Sequence, residues 1–352
     1  FYHFSLWYTN YSQGYNRRGL VGTVLTFFSE FFDPRVQLLT LFFFLSAMVS
    51  YFLYEIFTKN KQNFISLLLF LSPAFISFYI YDIRGSFRKE FLGIFAFLFL
   101  VNNLINQKNI FIPLFLYYFS VFSHPSNLFL FPAFVILLKK YGFNFRPIIL
   151  FSAPLFFYVG GEFIFANNIE FSKTFFCNEM NSKKNLTLNC NSLDSQFVDA
   201  VNSSSTVYLN QTLGFLNKTS STYYLSSLFL GLCPFFLNPD FFKRNKIIGL
   251  YFISYTPLLL LGYDWGRWIV LFLITVSVFY FLDETKPKIS LNKILMLFIF
   301  IIYSSFWKIS HCCNLELFPF SYNAPLIESL NSNLLVLTKI VSVEIFNLIY
   351  YL

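Results

Sequence analysis

Charge is what this chain has least of. Only 12% of its 352 residues are Asp, Glu, Lys or Arg, against 56% hydrophobic and 23% aromatic, and the mean hydropathy is +0.59. A water-soluble globule of this length does not need so apolar a composition to fill its core, so that class is set aside and a polytopic membrane protein is expected. Also missing is the period-two alternation of a membrane barrel. Phe, Leu and Ile come in blocks instead, which leaves an all-α architecture whose backbone hydrogen bonds are satisfied within each helix. Clustered metal ligands are lacking too: Cys312 and Cys313 have only His311 beside them and no second ligand pair, so they read as packing, and neither a metal nor a cofactor is expected. The formal net charge of +8 would suggest a nucleic-acid partner in a soluble protein. Here lysines in cytoplasmic connections account for it, and no nucleic acid is expected.

What is there is a succession of apolar runs long enough to cross a hydrocarbon layer of ~30 Å with some tilt. They fall near 36–57, 62–81, 91–105, 109–123, 126–138, 147–166, 223–237, 247–262, 269–282, 294–310 and 333–352, one transmembrane domain of about 10–12 helices over residues 1–352. A single helix over 109–138 would rise ~45 Å, so a break is expected at His124-Pro125. Lysines orient the chain. Lys59 and Lys61, Lys108, Lys139 and Lys140 with Arg146, Lys243 with Arg244 and Lys246, and Lys286, Lys288 and Lys293 occupy alternate short connections, which the positive-inside rule assigns to the cytoplasm.

That orientation puts the long Asn/Ser/Thr-rich segment 167–222 outside. Cys177 and Cys190 lie in it, and a disulfide between them would stabilise the loop by about 3 kcal/mol; two unpaired thiols are the alternative. Cys233 reads as a core residue. Residues 19–33, "GLVGTVLTFFSEFFD", place Thr23, Thr26, Glu30 and Asp33 at helical spacing opposite Leu20, Val24, Phe27, Phe28 and Phe31, the pattern of a helix lying in the outer interface.

With this topology the arginines separate from the lysines. Arg17, Arg18, Arg35, Arg84, Arg88 and Arg267 are outside, against the rule that orients the rest, so a function is expected of them. A guanidinium fork matches phosphate or carboxylate oxygens bidentately. The stretches that carry this signal are "GYNRRGLVG", "YDIRGSFRKEFLG", "FSHPSNLFLFPAF" and "GYDWGRW". Arg84 and Arg88, four apart, share a helix face. Arg84, Arg88 and Arg267 are candidates to stabilise a phosphate, His124 or Asp264 to take a proton, and Arg17, Arg18, Asp82, Lys89, Trp265 and Trp268 to bind substrate. Each has a plainer reading. Arg84 can pair with Asp82 or Glu90, Arg17 and Arg18 can hold lipid headgroups, His124 can cap a helix broken by proline, the tryptophans fall where an aromatic belt lies, and Asp264 can pair with Arg267 at i, i+3.

The pairing of "RGSFRKEFLGIFAF" with "FSHPSNLFLFPAF" resembles bacterial oligosaccharide repeat-unit polymerases of the EpsG-like and Wzy-like kind, including O-antigen polymerases, over roughly residues 80–135. The resemblance implies transfer of a glycan from polyprenyl diphosphate to the next lipid-linked repeat unit, at the outer face of the inner membrane, with a chain-length regulator protein as a further partner. Where that group has Arg followed by Gln, this chain has Arg88-Lys89-Glu90, and "DWGRW" has no counterpart in the pattern. The alternatives are a GT-C type glycosyltransferase using a polyprenyl-phosphate sugar and a lipid-linked glycan transporter. Residues 1–18 contain neither Asp nor Glu, which counts against the first. Mid-span charges are few, which counts against the second.

Overall fold

The computed structural model describes residues 7–8, 19–60, 63–75, 78, 88–144, 152, 155–156, 218–261, 264–287, 292–310 and 319. They are all-helical: α1 Gly19–Phe28, α2 Pro34–Lys59, α3 Phe64–Phe70, α4 Glu90–Ile105, α5 Phe111–Ser123, a 3-10 helix Pro125–Leu130, α6 Phe131–Lys140, α7 Lys218–Phe236, α8 Asp240–Arg244, α9 Ile247–Leu261, α10 Trp265–Phe281 and α11 Lys293–Ser305. The expected spans 147–166 and 333–352 and the loop 167–222, with Cys177 and Cys190, lie outside the described residues but for 152, 155–156 and 218–222, as do Cys312 and Cys313; residues 218–222, expected in the loop, are the first of α7.

Within α2, Val36–Lys59 is the one described helix long and apolar enough to cross a membrane, with mean hydropathy 2.0. Six further apolar helices are shorter, 10–17 residues; the longest of these rises ~26 Å.

The helices form two compact units. The first takes in residues 1–59, 87–213 and 249–262, the second 60–86, 214–248 and 263–352. Each contains one helix buried nearly all round. In the first unit it is α4, buried from Glu90 to Phe97 without a gap, which packs on α2 and α5; Phe52 of α2 stacks on Phe99 at 5.0 Å and on Phe95 at 5.9 Å. In the second it is α10, buried from Gly266 to Phe281, against α3 and α7. Several surrounding helices turn apolar faces outward. Phe43, Phe44, Tyr51 and Tyr54 of α2 are exposed, as are Phe111, Ile112 and Phe115 of α5 and Ile294, Leu297, Phe298 and Ile301 of α11.

The structure departs from the sequence reading at several places. The run 62–81 is not one helix: α3 stops at Phe70, and Leu71–Phe75 turn. Pro73 has no N–H to continue the ladder, and Ser72 Oγ accepts the Ala74 N–H at 3.2 Å while meeting Tyr303 Oη at 3.2 Å. α11 ends at Ser305 rather than 310. The break at His124-Pro125 is present, as a 3-10 helix between α5 and α6.

Residues 19–33 do not form one amphipathic helix. α1 ends at Phe28, and Ser29–Phe32 turn back toward α2. Its inward face is neither of those separated by polarity; it is Gly19, Val21, Gly22 and Leu25, set against α5. Val24, Phe27, Phe28, Phe31 and Phe32 are all exposed, and Phe27 meets Phe28 and Phe31 edge-to-face. Small residues let two backbones approach, and in an apolar chain that matters more than polarity contrast. Cys233, expected in the core, is half-buried.

Short connections in the second unit are held by polar side chains. Asn63 caps α3 and donates to Tyr280 Oη and Pro287 O, each at 3.1 Å. Arg244 donates to Asp283 Oδ2 at 3.1 Å and Thr285 O at 2.9 Å. Burial alone would raise the Asp283 carboxyl, but the Thr285 N–H and hydroxyl and the Arg244 guanidinium outweigh it and hold the group below its ordinary range.

Candidate functional site

Among the described residues, the buried Lys, Arg, His and Glu side chains, which are Lys89, Glu90, His124 and Arg267, fall in two places, one in each unit. In the first unit the start of α4 meets the break between α5 and the 3-10 helix. Lys89 is the N-cap of α4 and Glu90 its first residue, where the positive end of the helix dipole favours a carboxylate. The Phe91 and Leu92 N–H groups donate to Arg88 O and Lys89 O. On the other side, proline ends α5 at His124, which stands in extended backbone and caps the 3-10 helix with its own ring.

The two segments are tied by side chains. His124 Nε2 lies 3.5 Å from Glu90 Oε1, and Asn127 donates to Ser120 O at 3.0 Å and to Lys89 O at 3.5 Å. His124 Nδ1 faces Ser126 Oγ at 2.6 Å and accepts the Ser126 N–H at 3.4 Å. Lys89, Glu90, His124, Ser126 and Asn127 are each buried, at 3, 6, 7, 3 and 0% exposure, and Arg88 is half-buried. Such close approach depends on Gly93, where an added Cβ would stand 2.3 Å from Asn127 Oδ1.

In the second unit "DWGRW" forms the first turn of α10 rather than a loop before a helix starting at 269. Asp264 and Arg267 pair with each other across that turn. The Arg267 guanidinium also lies over the Trp268 ring, 5.0 Å from its centroid, a cation–π contact strengthened by burial. Trp268 is 5% exposed, so it faces the protein interior rather than an outer aromatic belt. Trp265 leans on Tyr224 at 5.7 Å. The indole Nε1 atoms of both tryptophans are buried without a hydrogen-bond partner among the described residues.

The residues nominated from sequence therefore divide. Arg88, Lys89 and His124 belong to the first unit; Asp264, Trp265, Arg267 and Trp268 belong to the second. Arg17, Arg18, Asp82 and Arg84 lie outside the described residues. Sequence reasoning gave Glu90 a place only as a partner for Arg84 and within the Arg88-Lys89-Glu90 run, took Ser126 only as part of a His-x-Ser helix start, and missed Asn127, whose spacing after His124-Pro125 was the available signal. No three His, Cys, Asp or Glu side chains gather as a metal-ligand set among the described residues.

What fold and geometry define is a helical protein with apolar outer faces and an ionisable cluster between two helix starts. No family model, curated protein or solved structure matches this chain.

Proposed function

We propose that this chain is a multi-pass glycan polymerase of the bacterial inner membrane, transferring a polyprenyl-diphosphate-linked oligosaccharide to another lipid-linked repeat unit at the outer face. The observation that carries the reading is the meeting of the "RKE" helix start with the "HPSN" break. The two segments on which the resemblance to repeat-unit polymerases rests lie far apart in sequence, yet Glu90 and His124 approach to 3.5 Å. Ionisable groups buried among membrane helices are costly and mark substrate sites. The membrane assignment is supported by exposed faces as apolar as the cores they surround, and the orientation by the lysine-rich connections.

The chemistry follows from the residue types. The diphosphate leaving group gains charge in the transition state, and preorganised arginines, Arg84 and Arg88 first among them, stabilise it in a site that excludes water. The attacking sugar hydroxyl needs a proton acceptor, which the His124 cluster supplies. Arg267 of the second unit is engaged by Asp264 and Trp268. A chain-length regulator is the expected protein partner.

A GT-C type transferase is the second reading, favoured by a short helix with an exposed aromatic ridge that precedes the long apolar helix. Deleting the gene separates the two. The polymerase reading expects complete single repeats, capped but unextended, to accumulate on the polyprenyl carrier; incomplete repeats instead would overturn it in favour of the transferase.

A further inference from the structure

We infer that Glu90, His124 and Ser126 form a proton relay in which Ser126 takes the acceptor proton while passing its own to Nδ1 of His124, and Glu90 is the positioning residue that fixes the ring. This rests on the transferase reading above and assigns its proton-handling step.

The tautomer decides the roles. A backbone N–H can only donate, and the Ser126 N–H points at His124 Nδ1, so Nδ1 is the bare nitrogen and Nε2 carries the hydrogen. Nε2 lies 3.5 Å from Glu90 Oε1. Contacts of this kind are commonly long before substrate binds and tighten afterwards. The order carboxylate, imidazole, hydroxyl is that of a hydrolase triad, in which the acid holds the tautomer and stabilises the imidazolium; here the two ring nitrogens exchange places. Asp264, the other base nominated from sequence, has its carboxylate engaged by Arg267. Of the titratable and charged groups on the elements packed with this break, Arg88 and Lys89 directly precede α4, Tyr117 of α5 donates to Leu128 O of the 3-10 helix at 3.3 Å, and Tyr255 of α9 meets Phe129 of that helix.

In the transfer, the acceptor hydroxyl oxygen bonds to the anomeric carbon of the donor sugar. The bond from that carbon to the diphosphate oxygen breaks, and its electron pair leaves with the diphosphate. Ser126 gives its hydroxyl proton to Nδ1 and takes that of the acceptor. The resulting imidazolium is held by Glu90 until it returns its proton to water.

Capping alone would explain the His124–Ser126 contacts, so the test must preserve the cap. His124→Asn keeps a side-chain acceptor for the Ser126 N–H but removes the basic nitrogen, Ser126→Ala keeps the N–H but removes the hydroxyl, and Glu90→Gln keeps the shape and removes the charge. Each is reconstituted in vesicles with labelled polyprenyl-diphosphate-linked repeats, and rates are followed from about pH 5 to 9, the range over which a histidine changes charge. The relay predicts a loss of about 10²–10⁴-fold for His124→Asn, with its thermal midpoint unchanged. For Glu90→Gln it predicts a slower reaction whose acid limb moves to lower pH, because the charge that favours the imidazolium is gone. A wild-type rate for His124→Asn, or a superimposable pH profile for Glu90→Gln, overturns the relay while leaving the polymerase reading intact. No polymer from the unmodified chain sinks that reading, and the relay with it.

Discussion

Arg88→Ala is expected to stop polymer formation while the protein still inserts and single lipid-linked repeats accumulate. At the start of α4 the Arg88 carbonyl oxygen accepts the Phe91 N–H, and alanine keeps that bond. What it removes is the half-buried guanidinium that directly precedes the buried Lys89 and Glu90 in the chain. If that group stabilises charge developing on the leaving diphosphate, its loss costs about 10²–10³-fold in rate, the usual effect of removing one preorganised donor. Arg88→Lys should also fail, since an ammonium cannot grip two oxygens in one plane; full activity there would reduce the role to charge attraction. Lys243→Ala is the control, because Lys243 is exposed and paired with Asp240. Long chains from Arg88→Ala at the normal rate would remove arginine from the reaction.

The largest expected effect on stability is at Gly93. A Cβ there would lie 2.3 Å from Asn127 Oδ1, 2.6 Å from Asn127 Cγ and 2.9 Å from Leu130 Cδ1. Asn127 cannot step aside cheaply, because its amide bridges Ser120 O and Lys89 O and it is fully buried. Gly93→Ala should therefore cost about 1–3 kcal/mol or more through overpacking, and separate the α4 start from the His124 break. Gly231→Ala offers the comparison. Its Cβ would also stand 2.3 Å from a heavy atom, but that atom is the end of the Leu273 side chain, which can change rotamer. Thermal unfolding in detergent should show a large drop for Gly93→Ala and a small one for Gly231→Ala; equal shifts would mean that the α4 contact with the 3-10 helix is not tightly packed.

The positions of helices were legible in the sequence because apolar runs in this chain are bounded by proline, asparagine and lysine. Pro125 marked the end of α5, and Lys293 marked the start of α11, which Asn292 caps by accepting the Ile294 N–H. Which face of a helix turns inward was not legible. For α1 the polar and aromatic sides looked like the two alternatives, whereas packing selected the side with Gly19 and Gly22. When nearly every residue is apolar, hydrophobic contrast no longer indicates the interior, and side-chain size takes over. The same reason hid the start of α10, where Trp265 to Trp268 looked like a polar interruption and form a helical turn closed by the Asp264–Arg267 pair.

Of the candidate site, single residues were legible but not their partners. His124 was conspicuous as one of three histidines. That it would meet Glu90 could not be read from local spacing, because the contact joins separate helices brought together by the close approach at Gly93. Arg88, Lys89 and Glu90 are adjacent in the chain, and burial rather than sequence distinguishes the enclosed Lys89 and Glu90 from the half-open Arg88.

The most direct test of the account is reconstitution of the full chain in vesicles with fluorescent polyprenyl-diphosphate-linked repeat units, resolved by length on a gel. A centre built on the α4 start and the His124 break predicts a ladder of products at increasing numbers of repeats, with free polyprenyl diphosphate released in step. Single repeats left unextended by the folded, correctly inserted chain would contradict it.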